Sequence, residues 1–171
     1  MMTLGIDPGA SGAACILPPV GDVGIKILDF KKMTDHEIAA ELRAIHGSAN
    51  LLNRISHAVL EKVHSFPGQG VSSTFKFGER YGFVRGVLTA LRIPYELVTP
   101  QKWQRSLGLI IKGRAKLTGP EKKRENKAMA QRLFPDLIVP KGPRYSGINL
   151  RTADALLIAE YGRRLRGERS R

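Results

Sequence analysis

The chain has 171 residues and a formal charge of +13, with 28 Lys and Arg against 15 Asp and Glu. That length suits a single domain, residues 1–171, with a proper core, and hydrophobic residues at 42% exclude a disordered chain. No run approaches the roughly 20 apolar residues of a membrane span, and no basic-then-apolar leader opens the sequence, so a cytosolic protein is expected.

The lone Cys15 excludes an internal disulfide framework and a cysteine zinc cluster, and its apolar neighbours predict a small core residue. The positive charge is concentrated. Lys102, Arg105, Lys112, Arg114, Lys116, Lys122, Lys123, Arg124 and Lys127 crowd one stretch, and Arg163, Arg164, Arg166, Arg169 and Arg171 crowd the basic tail, 163–171. A merely solvated surface interleaves both signs, so a one-sided field predicts a polyanionic partner. No basic helix carries the aromatic face that membrane binding favours, which puts nucleic acid ahead of a lipid surface.

In chain order, Met2 to Asp7 and Gly12 to Leu17 are predicted strands around a glycine-rich turn, "GIDPGASGAA". Gly9 and Gly12 are expected to supply positive φ for the reversal, and Pro8 to end the strand. Gly24 to Phe30 is a third strand. Thr34 with Glu37 forms a capping box, and Ile38, Leu42 and Ile45 repeat helically. His57 to Glu61 is a buried strand ending in a carboxylate.

From Ser72-Ser73 to about Leu91 the spacing predicts a long helix. Gly78, Gly82 and Gly86 fall on one stripe of it, which is expected to receive a closely packed neighbour, either a helix or a second subunit. Ile93 to Val98 is a strand, Gly113 to Pro120 a loop, and a helix then runs through Met129 and Leu133 to Phe134-Pro135. Pro140 to Gly147 is loop, and Thr152 to Leu165 is the last helix. Three strands followed by alternating helix and strand imply an α/β sheet with helices on both faces.

Three carboxylates stand where burial should forbid them: Asp7 after Leu4-Gly5-Ile6, Glu61 after Ala58-Val59-Leu60, and Asp154 within "ADALLIA". Each has an ordinary alternative, as a turn residue, a strand's exposed end and a first-turn helix acid. Together, strand ends plus a helix N-terminus are where an α/β fold gathers a site. Three converging carboxylates suit hard divalent cations, Mg2+ or Mn2+, and a basic surface suits phosphodiester hydrolysis by two such ions.

"GIDPGASGAA", "HAVLEKV" and "TADALLIAEYGRR", with "SFPGQGVSSTFKFGERYGFVRGVL" and "VTPQKWQRSLGL" between them, resemble the RuvC-like Holliday junction resolvases of the ribonuclease H superfamily, in particular their phage-borne branch. The resemblance runs from Leu4 to Arg164. It implies a ribonuclease H-like fold, a homodimer packed through the helix after Glu61, and paired Mg2+-dependent nicks in four-way DNA, in the cytoplasm of a bacterial or phage-infected cell. It assigns Asp7, Glu61 and Asp154 as metal ligands and catalytic residues.

The pattern departs from the family at one place. A fourth carboxylate is expected three or four residues before Asp154, where this chain has Arg151 and Leu150. A true three-carboxylate site, a catalytically weak or inactive junction-binding protein, and a replacement ligand such as Asn149 or Asp136 are the open explanations. The branch's lysine after the tryptophan is also missing, since Gln104 follows Trp103. For DNA contact the expected residues are Phe66, Phe75 and Lys76 beside the glycine segment, then Lys102, Arg105, Lys112, Arg114, Lys116 and Lys127. The opening turn also resembles the phosphate-binding hairpin of actin-like sugar kinases and ATPases, but those need two such domains.

Overall fold

The computed structural model describes residues 1–9, 11–19, 24–50, 54–62, 70–113, 117–140 and 142–167. Five strands form one mixed sheet: β1 (Met2–Asp7), β2 (Ala13–Leu17), β3 (Lys26–Asp29), β4 (Ile55–Glu61) and β5 (Tyr95–Val98). Their spatial order is β3-β2-β1-β4-β5. β1 to β3 form an antiparallel meander, whereas β4 lies parallel to β1 and β5 parallel to β4. Such parallel neighbours need helical crossovers. Here these are α1 (Asp35–His46) and α2 (Val71–Ala90), and three further helices follow: α3 (Pro100–Ser106), α4 (Gly119–Leu133) and α5 (Ala153–Leu165).

Period-two alternation divides the strands between two cores. Leu4, Ile6, Ala14, Ile16, Leu28, Ala58 and Leu60 pack with Ile38, Leu42 and Ile45 of α1 and Val84 and Leu88 of α2. On the opposite face Ala13, Cys15, Ile27, Val59 and Val98 pack with Trp103 of α3, Ala130 of α4 and the whole apolar length of α5. Cys15 is therefore a core residue, fully buried as its neighbours predict.

α5 is buried along its entire run from Ala153 to Arg163, so it is the spine of this second face. It lies against β1 with almost no gap. A Cβ built on Gly5 would sit 2.1 Å from the Ala159 nitrogen and 2.4 Å from the Ala155 oxygen, so only glycine lets the two backbones meet.

Capping follows the sequence. Thr34 with Glu37 and Thr118 with Glu121 each form reciprocal boxes at the starts of α1 and α4. The predicted helix after the third strand and the long helix before β5 are both present. Two local expectations are corrected. Residues 100–106, read only as the start of a basic region, form α3, with Thr99 accepting from the Lys102 N–H and Pro100 in the first turn. Gly9 and Gly12 do not adopt positive φ. Gly12 is required for space instead, because a Cβ there would lie 2.2 Å from the Asp7 carbonyl oxygen.

The stripe of Gly78, Gly82 and Gly86 faces outward, with nothing described in this chain within 4 Å of where their Cβ atoms would be. The expected close neighbour is thus not a helix among the described residues. No described helix is long and apolar enough to cross a membrane.

Candidate active site

The strand alternation and the register together bring the three acids to one edge. Asp7 follows Gly5 by two residues and Glu61 follows Val59 by two, so both project on the α5 face. The parallel register pairs Gly5 with Val59 and Ile6 with Leu60, which sets Asp7 and Glu61 side by side at the carboxyl ends of adjacent strands. Asp154 lies in the first turn of α5, the helix that crosses this face, where free N–H groups favour an acid. Asp7 pairs with Ala13, and Ala13 with Asp29, so a further acid lies on the same row two strands away.

The chain's own donors hold each carboxylate. Asp7 Oδ1 accepts from the Gly9 N–H at 3.1 Å, within the opening turn. Glu61 Oε1 accepts from the Trp103 indole N–H at 2.8 Å. Asp154 is held on both oxygens: Asn126 Nδ2 donates to Oδ1 at 2.8 Å, and Lys123 Nζ donates to Oδ2 at 2.5 Å. Lys123 Nζ also lies 3.9 Å from Asp7 Oδ2.

Burial pushes the Asp7 carboxyl above the ordinary aspartate value; the Asp154 charge adds to this, and Lys123 and the Gly9 N–H oppose it. Burial, then the Asp7 charge, pushes Glu61 up to about 7, against the Trp103 hydrogen bond. Burial works to discharge Lys123, but Asp154 and Asp7 outweigh it and raise its pKa above the ordinary value. The site is thus a set of mutually repelling acids with one ammonium between two of them.

A cavity of about 590 Å3 opens beside the cluster. Glu61, Asp154, Lys123 and Asn126 form its polar side, while Leu109, Ile110, Ile111 and Leu117 form an apolar side. Asp7 is not part of its wall.

The remaining expected residues are placed as follows. Asn149 is not turned to the acids: its Oδ1 accepts from the Arg151 N–H at 2.8 Å and the Thr152 N–H at 3.3 Å, so its amide oxygen is committed to the turn that opens α5. Asp136 is exposed in the turn after α4 and does not line the cavity. Arg151, in the place of a fourth acid, donates from Nη2 to Asp29 Oδ2 at 2.7 Å. Phe75 and Lys76 are exposed early in α2, Lys102 and Arg105 are exposed on α3, Lys112 is exposed after it, and Lys127 is half-buried on α4. Phe66, Arg114, Lys116 and the end of the basic tail lie outside the described residues.

Sequence reasoning missed the donors. In the sequence Lys123 is one charge in a basic stretch, and nothing local marks Asn126 or Trp103 as partners of the acids. One signal was available: Lys123 and Asn126 are three apart on a helix, hence on one face.

The donor set, three carboxylates with hard oxygen atoms, fits Mg2+ or Mn2+ in kind. Among the described residues no three His, Cys, Asp or Glu side chains form a ready-made cage for a metal. A cation at this edge would have to displace donors the chain already supplies.

No protein-family model and no curated protein sequence matches the chain. Among solved structures it is similar to RuvC of Thermus thermophilus, with 19% identity, a TM-score of 0.53 and 98% of each chain covered. The same protein in complex with a Holliday junction substrate gives 15% identity and a TM-score of 0.56, again over 98% of each chain. The yeast mitochondrial Holliday junction resolvase Ydc2 gives 14% identity and a TM-score of 0.52, over 97% of this chain and 79% of that one. The chain therefore has the RuvC-like, ribonuclease H-type α/β fold.

Proposed function

We propose that this protein is a Holliday junction resolvase, a divalent-metal-dependent endonuclease that makes paired nicks in four-way DNA. The observation that carries the reading is the convergence of Asp7, Glu61 and Asp154 at the carboxyl edge of β1 and β4 and the start of α5. The similar solved structures are junction resolvases, one of them bound to its junction. The charge of +13 suits a phosphate backbone.

Asp7, Glu61 and Asp154 would hold the two Mg2+ or Mn2+ ions. When bound, such ions would supply positive charge beside the scissile phosphate and lower the pKa of a bound water. The chain's own part is to hold the three oxygen donors in place. Trp103 orients Glu61, Gly9 orients Asp7, and Asn126 orients Asp154. Exposed Lys102, Arg105 and Lys112 would neutralise phosphates around the junction.

Paired nicks call for two such sites. The outward stripe of Gly78, Gly82 and Gly86 supports a second copy packed on α2. Phe75 would then stand where opened base pairs can stack on it.

The test is cleavage of a synthetic four-way junction beside a linear duplex of the same sequence, in Mg2+ and in Mn2+. The expected result is selective cutting of the junction, slowed about 100-fold or more by Asp7→Asn. Equal rates for wild type and Asp7→Asn in both metals would sink the enzyme reading. Tight junction binding with no cutting would instead identify a junction-binding protein.

A further inference from the structure

The sharpest contact in the site is between the chain's own cation and the acids assigned to metal. Lys123 Nζ is 2.5 Å from Asp154 Oδ2 and 3.9 Å from Asp7 Oδ2. Asn126, one turn further along α4, takes the other Asp154 oxygen at 2.8 Å. Neither oxygen of Asp154 is without a donor. The acids themselves are largely covered, with side chains 10% exposed for Asp154 and 13% for Asp7. Lys123 is not covered: its side chain is 44% exposed and borders the cavity.

We propose that Lys123 is the built-in counter-cation of this carboxylate cluster and competes directly with a divalent ion for Asp154. The proposal rests on the reading that Asp7, Glu61 and Asp154 hold the metal. Its physics is simple. Adjacent carboxylates in a poorly solvated corner need positive charge nearby, and an ammonium on a flexible four-carbon stem is a compact point charge that can supply it. A divalent ion arriving at the same oxygens meets a like charge about one hydrogen-bond length away. One of the two has to leave, and only the ammonium has an open cavity to swing into. Metal binding is therefore weakened by whatever free energy the Lys123–Asp154 pair contributes in the metal-free protein.

Mn2+ affinity of the full-length protein, measured by calorimetry or by the free-ion resonance signal, tests this without any cleavage assay. Lys123→Met is expected to bind Mn2+ at least about 5-fold more tightly than wild type, whereas Lys32→Met, an exposed charge removed elsewhere, should change affinity less than about 2-fold. In chelator Lys123→Met should melt below wild type, and on adding Mn2+ it should gain the larger rise in Tm. If Lys123→Met does not fold, Lys123→Gln keeps a donor for Asp154 without the charge, and the same results are expected of it.

Unchanged or weaker Mn2+ binding on loss of the lysine charge overturns the proposal, as does a protein that binds no Mn2+ in either form. Tighter binding by the variant in a protein that cuts no junction would leave the inference standing and defeat only the resolvase reading.

Discussion

Arg151 donates to Asp29 across 2.7 Å and so joins the turn before α5 to the end of β3. The Asp29 side chain is fully buried and the Arg151 side chain is 38% exposed. The pair explains how the chain carries a cation three residues before Asp154. Asp29 lies on the same row of the sheet as Asp7, with Ala13 between them, and without a partner it would add a further uncompensated negative charge to that row.

Burial alone would raise the Asp29 carboxyl. The Arg151 guanidinium, the Lys31 N–H and the Ser146 hydroxyl together hold it below the ordinary 3.8. A lowered carboxyl contributes stability that is present above its unfolded value and lost as pH falls through the folded one. Arg151→Met or Asp29→Asn is therefore expected to destabilise the fold at neutral pH, by less than the loss of a fully buried pair because Arg151 is partly in water. Urea unfolding of both variants and of the double variant checks it. The double variant should be less destabilised than the sum of the singles, and strict additivity would show that the two side chains do not cooperate.

Glu61 has the opposite linkage. Its carboxyl is raised to about 7 from an ordinary 4.5, so between these values the folded metal-free protein keeps a proton that the unfolded chain releases. Its contribution to stability falls as pH rises across that window and levels off above it. Glu61→Gln removes the titration, and in chelator it is expected to gain on the order of 2 kcal/mol relative to wild type between pH 5 and pH 8. Parallel pH profiles for the two proteins would contradict this. Trp103→Phe removes the donor that favours the ionised form, so the fall should extend to higher pH.

The contact of β1 with α5 predicts a steep response to one methyl group. Gly5→Ala places a carbon 2.1 Å from the Ala159 nitrogen, a backbone atom that cannot rotate away. Either α5 lifts from the sheet or the strand bends, at a cost of about 3 kcal/mol or more. Because α5 carries Asp154 and β1 carries Asp7, Mn2+ affinity should fall together with Tm. A variant that melts lower but binds Mn2+ as before would show that the two acids do not depend on this contact.

Much of the fold was legible because it is written in local periodicity. Leu4 and Ile6 alternating with Gly5 and Asp7, the box of Thr34 and Glu37, and the apolar run after Asp154 each fix an element through nearest neighbours. The row of acids was legible for the same reason, since Asp7 and Glu61 each end an apolar strand. α3 was missed because seven residues carry too little periodicity to stand against a basic loop. The role of Gly12 was misread because tight space against the Asp7 carbonyl and positive φ both select glycine.

By itself, then, the sequence determined most of the strands and helices, which acids are caught in apolar surroundings, and where the positive charge concentrates. Those outcomes follow from side-chain chemistry and short-range spacing. The tertiary structure alone decided what each acid meets. Lys123 and Asp154 are 31 residues apart, Trp103 and Glu61 are 42 apart, and Arg151 and Asp29 are 122 apart. No periodicity spans such separations; only the closing of α3, α4 and α5 onto one face of the sheet brings these cations and donors to the carboxylates they neutralise.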